Sequence, residues 1–196
     1  MEAQREFLFL AHIRKGSYQG APHNIKLRML CQQLRRLKPA IFVETGTYFG
    51  DTLAGVKDLC ERAISIEVEP NLYARARARF ANCPNVELLC GDVLDLLPRV
   101  LASLNDAAVF WLDAHYSGGV TGCGMVEDPI LESLALLGQG ANPGHRILID
   151  DARAFDGNNG RPDLVQVLRA VKRLDSRYVL RIQNDIITAE LPLARA

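Results

Sequence analysis

The order of apolar runs, glycine turns and amphipathic stretches predicts an α/β protein with a Rossmann-like, seven-stranded, mostly parallel sheet, helices on both faces and a C-terminal antiparallel hairpin strand. Residues 41–56 read as a buried strand, a glycine turn and a helix. The alternation of strands and helices continues up to residue 174. Two last apolar runs, 178–182 and 186–191, flank Asn184 and Asp185, a dipeptide typical of a tight hairpin.

The chain of 196 residues has the size of one domain. We expect residues 1–38 to form a helical arm that can act as a lid, and residues 39–196 to form the ligand-binding domain. In the arm, residues 24–37 have helical spacing of apolar side chains. The basic residues of this helix are expected to form a solvated face: Lys26, Arg28, Arg35 and Arg36. If the arm crosses a pocket mouth, Tyr18 and His23 become candidate substrate contacts.

Composition favours a small-molecule ligand. Lys plus Arg and Asp plus Glu number 23 each, which gives no overall attraction to nucleic acid or to a membrane surface. The five cysteines contain no CxxC pair, which favours free thiols in a reducing cytoplasm over a disulfide framework or a zinc site. The apolar run 7–11 is too short for a signal sequence or a membrane span. A cytoplasmic protein is therefore expected, and a homo-oligomer is compatible with the sequence.

The turn after the first strand has the features of a nucleotide-type pocket. Glu44 ends the strand, Gly46 and Gly50 follow, and Thr52 lies at the start of the helix. Glycines allow a sharp turn and a close approach of the backbone to a ligand. A dinucleotide fold requires GxGxxG, but Tyr48 occupies the place of its second glycine.

Acids also follow the next two strands. Glu67, with Glu69 as the competing choice, lies about 20 residues after the glycine turn, where an acid can accept from two ribose hydroxyls. Asp92, after the third strand, can accept from an adenine amine, and Val93 can cover the ring face. These positions predict an adenosine-containing ligand across the strand ends.

Three further acids are expected at the same edge of the sheet. Asp113 ends the fourth strand, which is followed by a long loop, and Asp150 and Asp151 end the fifth. Carboxylates held close together repel one another unless a positive charge neutralises them. Oxygen ligands favour Mg²⁺, with Mn²⁺ or Ca²⁺ as alternatives. Acids that are separately solvated or cap helices remain the alternative.

From residue 40 to 190 the chain resembles the magnesium-dependent O-methyltransferases of the catechol and sugar type, which are class I methyltransferases that use S-adenosylmethionine (SAM). The resemblance implies that ETGTYFGDT holds the methionine part of SAM, that IEVEP binds the ribose, and that GDVLDLLP borders the adenine. The implied SAM-binding residues are Glu44, Gly46, Thr47, Tyr48, Gly50, Thr52, Glu67, Asp92, Val93 and Asp113. The implied metal ligands are Asp113, Asp150 and Asp151.

This resemblance implies in-line transfer of the sulfonium methyl group to a hydroxyl of a small metabolite, such as a sugar, a polyketide or a phenol. Asp113 and His115 are the expected catalytic residues, with His115 as the base because its ordinary pKa is near neutrality. His115 takes the place of the acid found in sugar-modifying relatives, and Tyr116 is the other candidate base. A fourth metal ligand or a loop anchor is the alternative role of His115. Arg153 is expected to pair with an acidic substrate group, or with Asp150 or Asp156.

Three other functions remain open from the sequence. The chain could be a metal-independent SAM methyltransferase, or a protein of this fold that binds a ligand without turnover. A nicotinamide-dependent oxidoreductase is disfavoured by Tyr48 in the glycine motif and by the terminal hairpin.

Overall fold

The computed structural model describes residues 22–37, 40–113, 128–140, 144–158 and 160–192. The strands are β1 (Ile41–Thr45), β2 (Arg62–Glu67), β3 (Val86–Cys90), β4 (Ala108–Leu112), β5 (Arg146–Ile149), β6 (Val179–Gln183) and β7 (Ile186–Glu190). The helices are α1 (His23–Leu34), α2 (Asp51–Val56), α3 (Pro70–Arg79), α4 (Val93–Ala102), α5 (Ile130–Leu137) and α6 (Leu164–Leu174).

The strands form one seven-stranded sheet in the order β3-β2-β1-β4-β5-β7-β6. β1 to β5 run parallel, whereas β7 pairs antiparallel with both β5 and β6. Asn184 and Asp185 have positive φ angles of 52° and 64°, the conformation that lets a two-residue turn follow the twist of its strands. The predicted fold class, including the terminal hairpin, is confirmed.

Helices cover both faces of the sheet because its central strands are apolar on both sides. On one face, α1, α2 and α3 pack against Phe42, Val109 and Trp111. On the other face, α4, α5 and α6 pack against Val43, Phe110 and other strand residues. Burial on both sides fixes the strand register and therefore fixes which residues meet at each edge of the sheet.

Helix α1 lies lengthwise along β5. Its buried Leu30 and Leu34 belong to the core of the first face. Near its C-terminal end, Gln33 accepts from Arg146 Nη1 at 2.5 Å and donates to Glu190 Oε1 at 2.8 Å. A Cβ added at Gly55 would lie 2.5 Å from Leu27 Cδ1, so the glycine allows α1 to approach α2 closely. These contacts direct the N-terminal end of α1 towards the carboxyl end of β5.

Within the described residues, no helix has the length and apolarity needed to cross a membrane. The cysteines that the structure describes are free thiols: Cys31, Cys60, Cys83 and Cys90.

Candidate active site

The predicted site residues meet at the carboxyl edge of the parallel strands. Backbone hydrogen bonds continue between the strands just beyond their carboxyl ends, so the residues that follow neighbouring strands lie side by side. They join Gly46 N to Ile66 O (2.9 Å), Gly91 N to Glu67 O (2.9 Å), Asp113 N to Thr45 O (3.2 Å) and Asp150 N to Leu112 O (3.1 Å). Ligands of open α/β sheets bind at this edge.

The glycine turn has the backbone that its sequence requires. Gly46, Tyr48 and Gly50 have positive φ angles of 88°, 51° and 78°. A Cβ at Gly50 would lie 2.8 Å from Phe80 Cε2, so a larger residue would displace that ring. Arg79 Nη1 donates to Phe49 O at 2.5 Å and supports the turn from α3, a contact that sequence reasoning missed.

Glu67 is buried at the end of β2, where the ribose-binding acid was predicted. Its two carboxylate oxygens accept from Tyr48 N at 2.7 Å and from Glu69 N at 2.9 Å. The competing acid, Glu69, instead caps α3 by accepting from Asn71 N at 3.1 Å. The geometry favours Glu67, which connects the glycine turn to the second strand.

Glu44 is buried beside the same turn. Ser65 Oγ donates to Glu44 Oε2 at 2.6 Å, and Ser65 lies 2.6 Å from Thr47 Oγ1. Burial, opposed by the Ser65 hydrogen bond and reinforced by the negative charges of Asp113 and Glu67, raises the pKa of Glu44 to about 8. Glu44 is therefore mainly protonated at neutral pH, which sequence reasoning did not foresee.

The remaining predicted SAM-binding residues lie at the same edge. Asp92 caps α4 by accepting from Leu94 N at 2.8 Å. Val93, the first residue of α4, is buried in the core, and Thr52 is half-buried in the first turn of α2. Their role towards a ligand remains a prediction.

Asp113, Asp150 and Asp151 form an acidic cluster whose potential ligand atoms lie within 4.8 Å of one another. β5 ends at Ile149, and Asp151 has a left-handed conformation (φ 51°). Neighbouring side chains of a strand point to opposite faces, so this turn is what brings two consecutive carboxylates to one side. Burial and the charges of Asp113 and Asp151 raise the pKa of Asp150 to about 6, against the opposing effect of Lys26.

Two cations contact this cluster. Lys26 Nζ lies 2.6 Å from Asp150 Oδ2 and 3.1 Å from Asp151 Oδ1, which corrects the expectation that Lys26 belongs to a solvated face. Arg153 Nη1 lies 2.8 Å from Asp151 Oδ1 and also bonds the buried Asp185, which replaces the expected partners Asp150 and Asp156. Burial lowers the pKa of Lys26, but Asp150 and Asp151 outweigh burial and raise it overall.

A signal for Lys26 existed in the sequence. Lys26 precedes Leu30 by four residues and Leu34 by eight, so it lies on the helix face that carries these buried leucines. Arg28, Arg35 and Arg36 are exposed as expected.

An open pocket lies beside the acidic cluster on the α5 side of the sheet and has about 410 Å³ of empty space, part of which is open solvent. Its lining includes four acidic residues and one arginine, namely Asp113, Asp128, Asp150, Asp151 and Arg161. Ile130 and Phe155 supply apolar surface. Thr45, the residue before Gly46, also lines the cavity and connects it to the glycine turn.

Several predictions concern residues that the structure does not describe. His115, Tyr116, Tyr18 and the loop 116–127 lie outside the described residues, as does most of the predicted arm 1–38. His23 is described and is exposed at the start of α1.

No protein-family model matches the sequence, and no curated protein matches it by sequence. Solved structures match over most of the chain. The O-methyltransferase TomG from Streptomyces achromogenes, in complex with SAM, has a TM-score of 0.59 and 17% identity, covering 93% of this chain and 86% of TomG. An O-methyltransferase from Bacillus cereus, in complex with SAH, has a TM-score of 0.64 and 13% identity, covering 95% and 90%. The N-methyltransferase NodS from Bradyrhizobium japonicum has a TM-score of 0.51 and 17% identity, covering 83% and 84%.

The chain therefore has the Rossmann-like fold of class I SAM-dependent methyltransferases. At these identities the match establishes the fold, and the function has to be argued from the site.

Proposed function

We propose that this protein is a SAM-dependent O-methyltransferase that uses a divalent cation to methylate a hydroxyl of a small metabolite. The observation that carries the proposal is the junction of two sites at one sheet edge. The glycine turn and Glu67 form the donor side, and the acidic cluster and its cavity form the acceptor side. Thr45 joins them, because its carbonyl accepts from Asp113 N and its side chain lines the cavity.

The donor side suits SAM through its own hydrogen-bonding groups. Glu67 is placed to accept from ribose hydroxyls, and Asp92 follows the neighbouring β3. Gly46 and Gly50 supply the positive φ angles of the turn against which the methionine part would lie. Holding the methyl carbon and the acceptor oxygen in line is expected to supply much of the rate enhancement.

The acceptor side suits a hard cation. Asp113, Asp150 and Asp151 offer carboxylate oxygens, the donor set that Mg²⁺, Mn²⁺ and Ca²⁺ prefer. When bound, such an ion would lower the pKa of an acceptor hydroxyl. Asp128 and Arg161, which also line the cavity, would orient polar groups of the acceptor. His115 remains the proposed base, and Tyr116 the alternative.

Binding and turnover measurements test this proposal. Calorimetry should detect SAM, SAH and Mg²⁺, but not NAD. Incubation with SAM and a panel of sugars, polyketides and phenols should release SAH only with an acceptor and only without EDTA. Failure of SAM and SAH to bind correctly folded protein would contradict the whole proposal.

A metal-independent methyltransferase is the second candidate, favoured by the contacts of Lys26 and Arg153 with the acidic cluster. In that case the two cations supply the positive charge that the acids require. Turnover that persists in EDTA would favour this candidate over the first.

A further inference from the structure

We propose that Lys26 occupies the cation position of the acidic cluster, and that a divalent cation binds Asp150 and Asp151 by displacing its ammonium group. The inference rests on the metal assistance proposed above and specifies how this chain regulates access to the metal site. It follows from which oxygens Lys26 uses, how α1 is held, and how charge is distributed around the cluster.

Lys26 uses oxygens that a metal would need. Its ammonium lies 2.6 Å from Asp150 Oδ2 and 3.1 Å from Asp151 Oδ1. The other oxygen of Asp150, Oδ1, accepts from Asp151 N at 2.8 Å. Asp151 Oδ1 also accepts from Arg153 Nη1 at 2.8 Å. Lone pairs that accept these hydrogen bonds do not coordinate a metal at the same time.

The two cations would also repel each other. An ammonium and a divalent ion on the same carboxylates would lie well within the Debye length of about 8 Å, so salt would screen them little. The Lys26 and Asp150 side chains are only 16% and 4% exposed, and partial burial strengthens charge interactions. Simultaneous occupancy is therefore unfavourable.

The helix does not depend on Lys26 for its position. Leu30 and Leu34 are buried in the core, and Gln33 bonds Arg146 and Glu190 near the other end of β5. The Lys26 side chain can thus leave the cluster while α1 stays in place.

The first test measures Mn²⁺ affinity by calorimetry at about pH 8, above the pKa of Asp150 of about 6. Lys26→Met keeps the length of the side chain and removes its charge, and it should bind Mn²⁺ at least about tenfold more tightly than the wild type. Lys26→Arg, which retains the charge, should remain within about threefold of the wild type. Lys57→Met is the matched control, because Lys57 pairs with Asp58 instead of the cluster.

The second test uses the unmodified chain. An amine-acylating reagent and mass spectrometry report how exposed each lysine is. Saturating Mg²⁺ should speed the labelling of Lys26 several-fold and leave Lys57 unchanged. This readout needs no variant and remains available if Lys26→Met fails to fold.

The outcomes separate this proposal from the function it rests on. The displacement would be overturned if folded Lys26→Met bound Mn²⁺ no more tightly than the wild type, or if saturating Mg²⁺ did not change the labelling rate of Lys26. Either result would leave the proposed function intact. If SAH binds but neither Mn²⁺ nor Mg²⁺ binds the wild type or any variant, the displacement and the metal assistance are both contradicted. The proposal of a metal-independent methyltransferase would then be retained.

Discussion

The two halves of the carboxyl edge stabilise their acids in different ways. On the donor side, Glu44 and Glu67 accept from a hydroxyl and from backbone amides, and the partners Ser65 and Tyr48 lie 21 and 19 residues away. On the acceptor side, Asp150 contacts an ammonium that lies 124 residues away in the chain. Neutral hydrogen-bonding groups therefore stabilise the acids of the donor side, whereas a charged group from a distant segment stabilises those of the acceptor side.

The difference separates a site formed by hydrogen bonds from a site formed by charge. Neutral partners stabilise a buried carboxyl without requiring it to ionise, which is consistent with the raised pKa of Glu44. Asp150 and Asp151 instead form ion pairs with Lys26 and Arg153, so a second cation at the cluster competes with the cations already there. Substitutions on one side should therefore leave the ligand of the other side largely unaffected.

Asp150→Asn should produce the largest effect, a loss of Mn²⁺ affinity of about 1000-fold, or ~4 kcal/mol. The substitution removes a charged ligand from the cluster but keeps its shape and some hydrogen bonding. SAH affinity should change less than about threefold, because Glu67 and the glycine turn are intact. Calorimetry with each ligand measures both quantities.

Asp58→Asn is the control for this change, because Asp58 is 83% exposed and pairs with Lys57 away from the cluster. It should alter neither affinity. A loss of SAH binding in Asp150→Asn that equals its loss of Mn²⁺ binding would show that the two halves are not separate.

The convergence of acids at the carboxyl edge of the sheet could be predicted from sequence, because parallel strands have their carboxyl ends at the same edge. Asp113 and Asp150 follow apolar runs, so their convergence needed only the strand assignment. The hydrogen-bond partners of the acids at this edge could not be predicted in the same way. Ser65 faces Glu44 because the two are register partners of β1 and β2, and register depends on packing of the whole sheet.

The contact of Lys26 with the acidic cluster could not be predicted either. Of the four basic residues expected on a solvated face, only Lys26 precedes Leu30 and Leu34 by four and eight residues, but the partner that it meets is set by the direction of α1 along β5. That direction depends on Gln33, Gly55 and the two buried leucines, which are long-range contacts. The terminal hairpin was predictable because its turn chemistry is local.

The raised pKa of Glu44 predicts a pH dependence of stability that belongs to the donor side. Between pH 4.5, which equals the ordinary pKa of this carboxyl, and about pH 8, the carboxyl is ionised in the unfolded chain but keeps its proton in the folded chain. The folded state is therefore destabilised as pH rises through this range, by a total on the order of 4 kcal/mol. Glu44→Gln, which cannot ionise, should lack this component.

Urea denaturation of both proteins without SAM, at several pH values from about 5 to about 8, measures the effect. The free energy of unfolding of the wild type should fall with pH relative to that of Glu44→Gln. The contribution of Asp150 is common to both proteins and cancels in the difference. A difference that is independent of pH would refute the proton assignment at Glu44.

Glu67→Gln should lower SAM affinity by about 30-fold, or ~2 kcal/mol, because charge-assisted hydrogen bonds to the ribose are lost. Mn²⁺ affinity should remain within about threefold of the wild type, which makes this variant the converse of Asp150→Asn. Glu69→Gln is the matched control, since Glu69 caps α3. A larger loss of SAM binding in Glu69→Gln would transfer the ribose-binding role to that residue.

The smallest expected effect is a difference in stability between alanine variants of two glycines that share a φ angle of +78°. Gly50 lies in the donor turn, and Gly160 lies in the loop that follows the acceptor-side acids. An alanine at either position adopts a strained backbone, which costs ~1 kcal/mol. At Gly50 the added Cβ would lie 2.8 Å from Phe80, whereas at Gly160 no atom of the described residues lies within 4 Å of it. Gly50→Ala should therefore be less stable than Gly160→Ala by a further ~1 kcal/mol in urea denaturation, because the ring must move. Since Phe80 packs on the donor side only, equal losses of stability would mean that the donor turn is no more tightly packed than the acceptor loop.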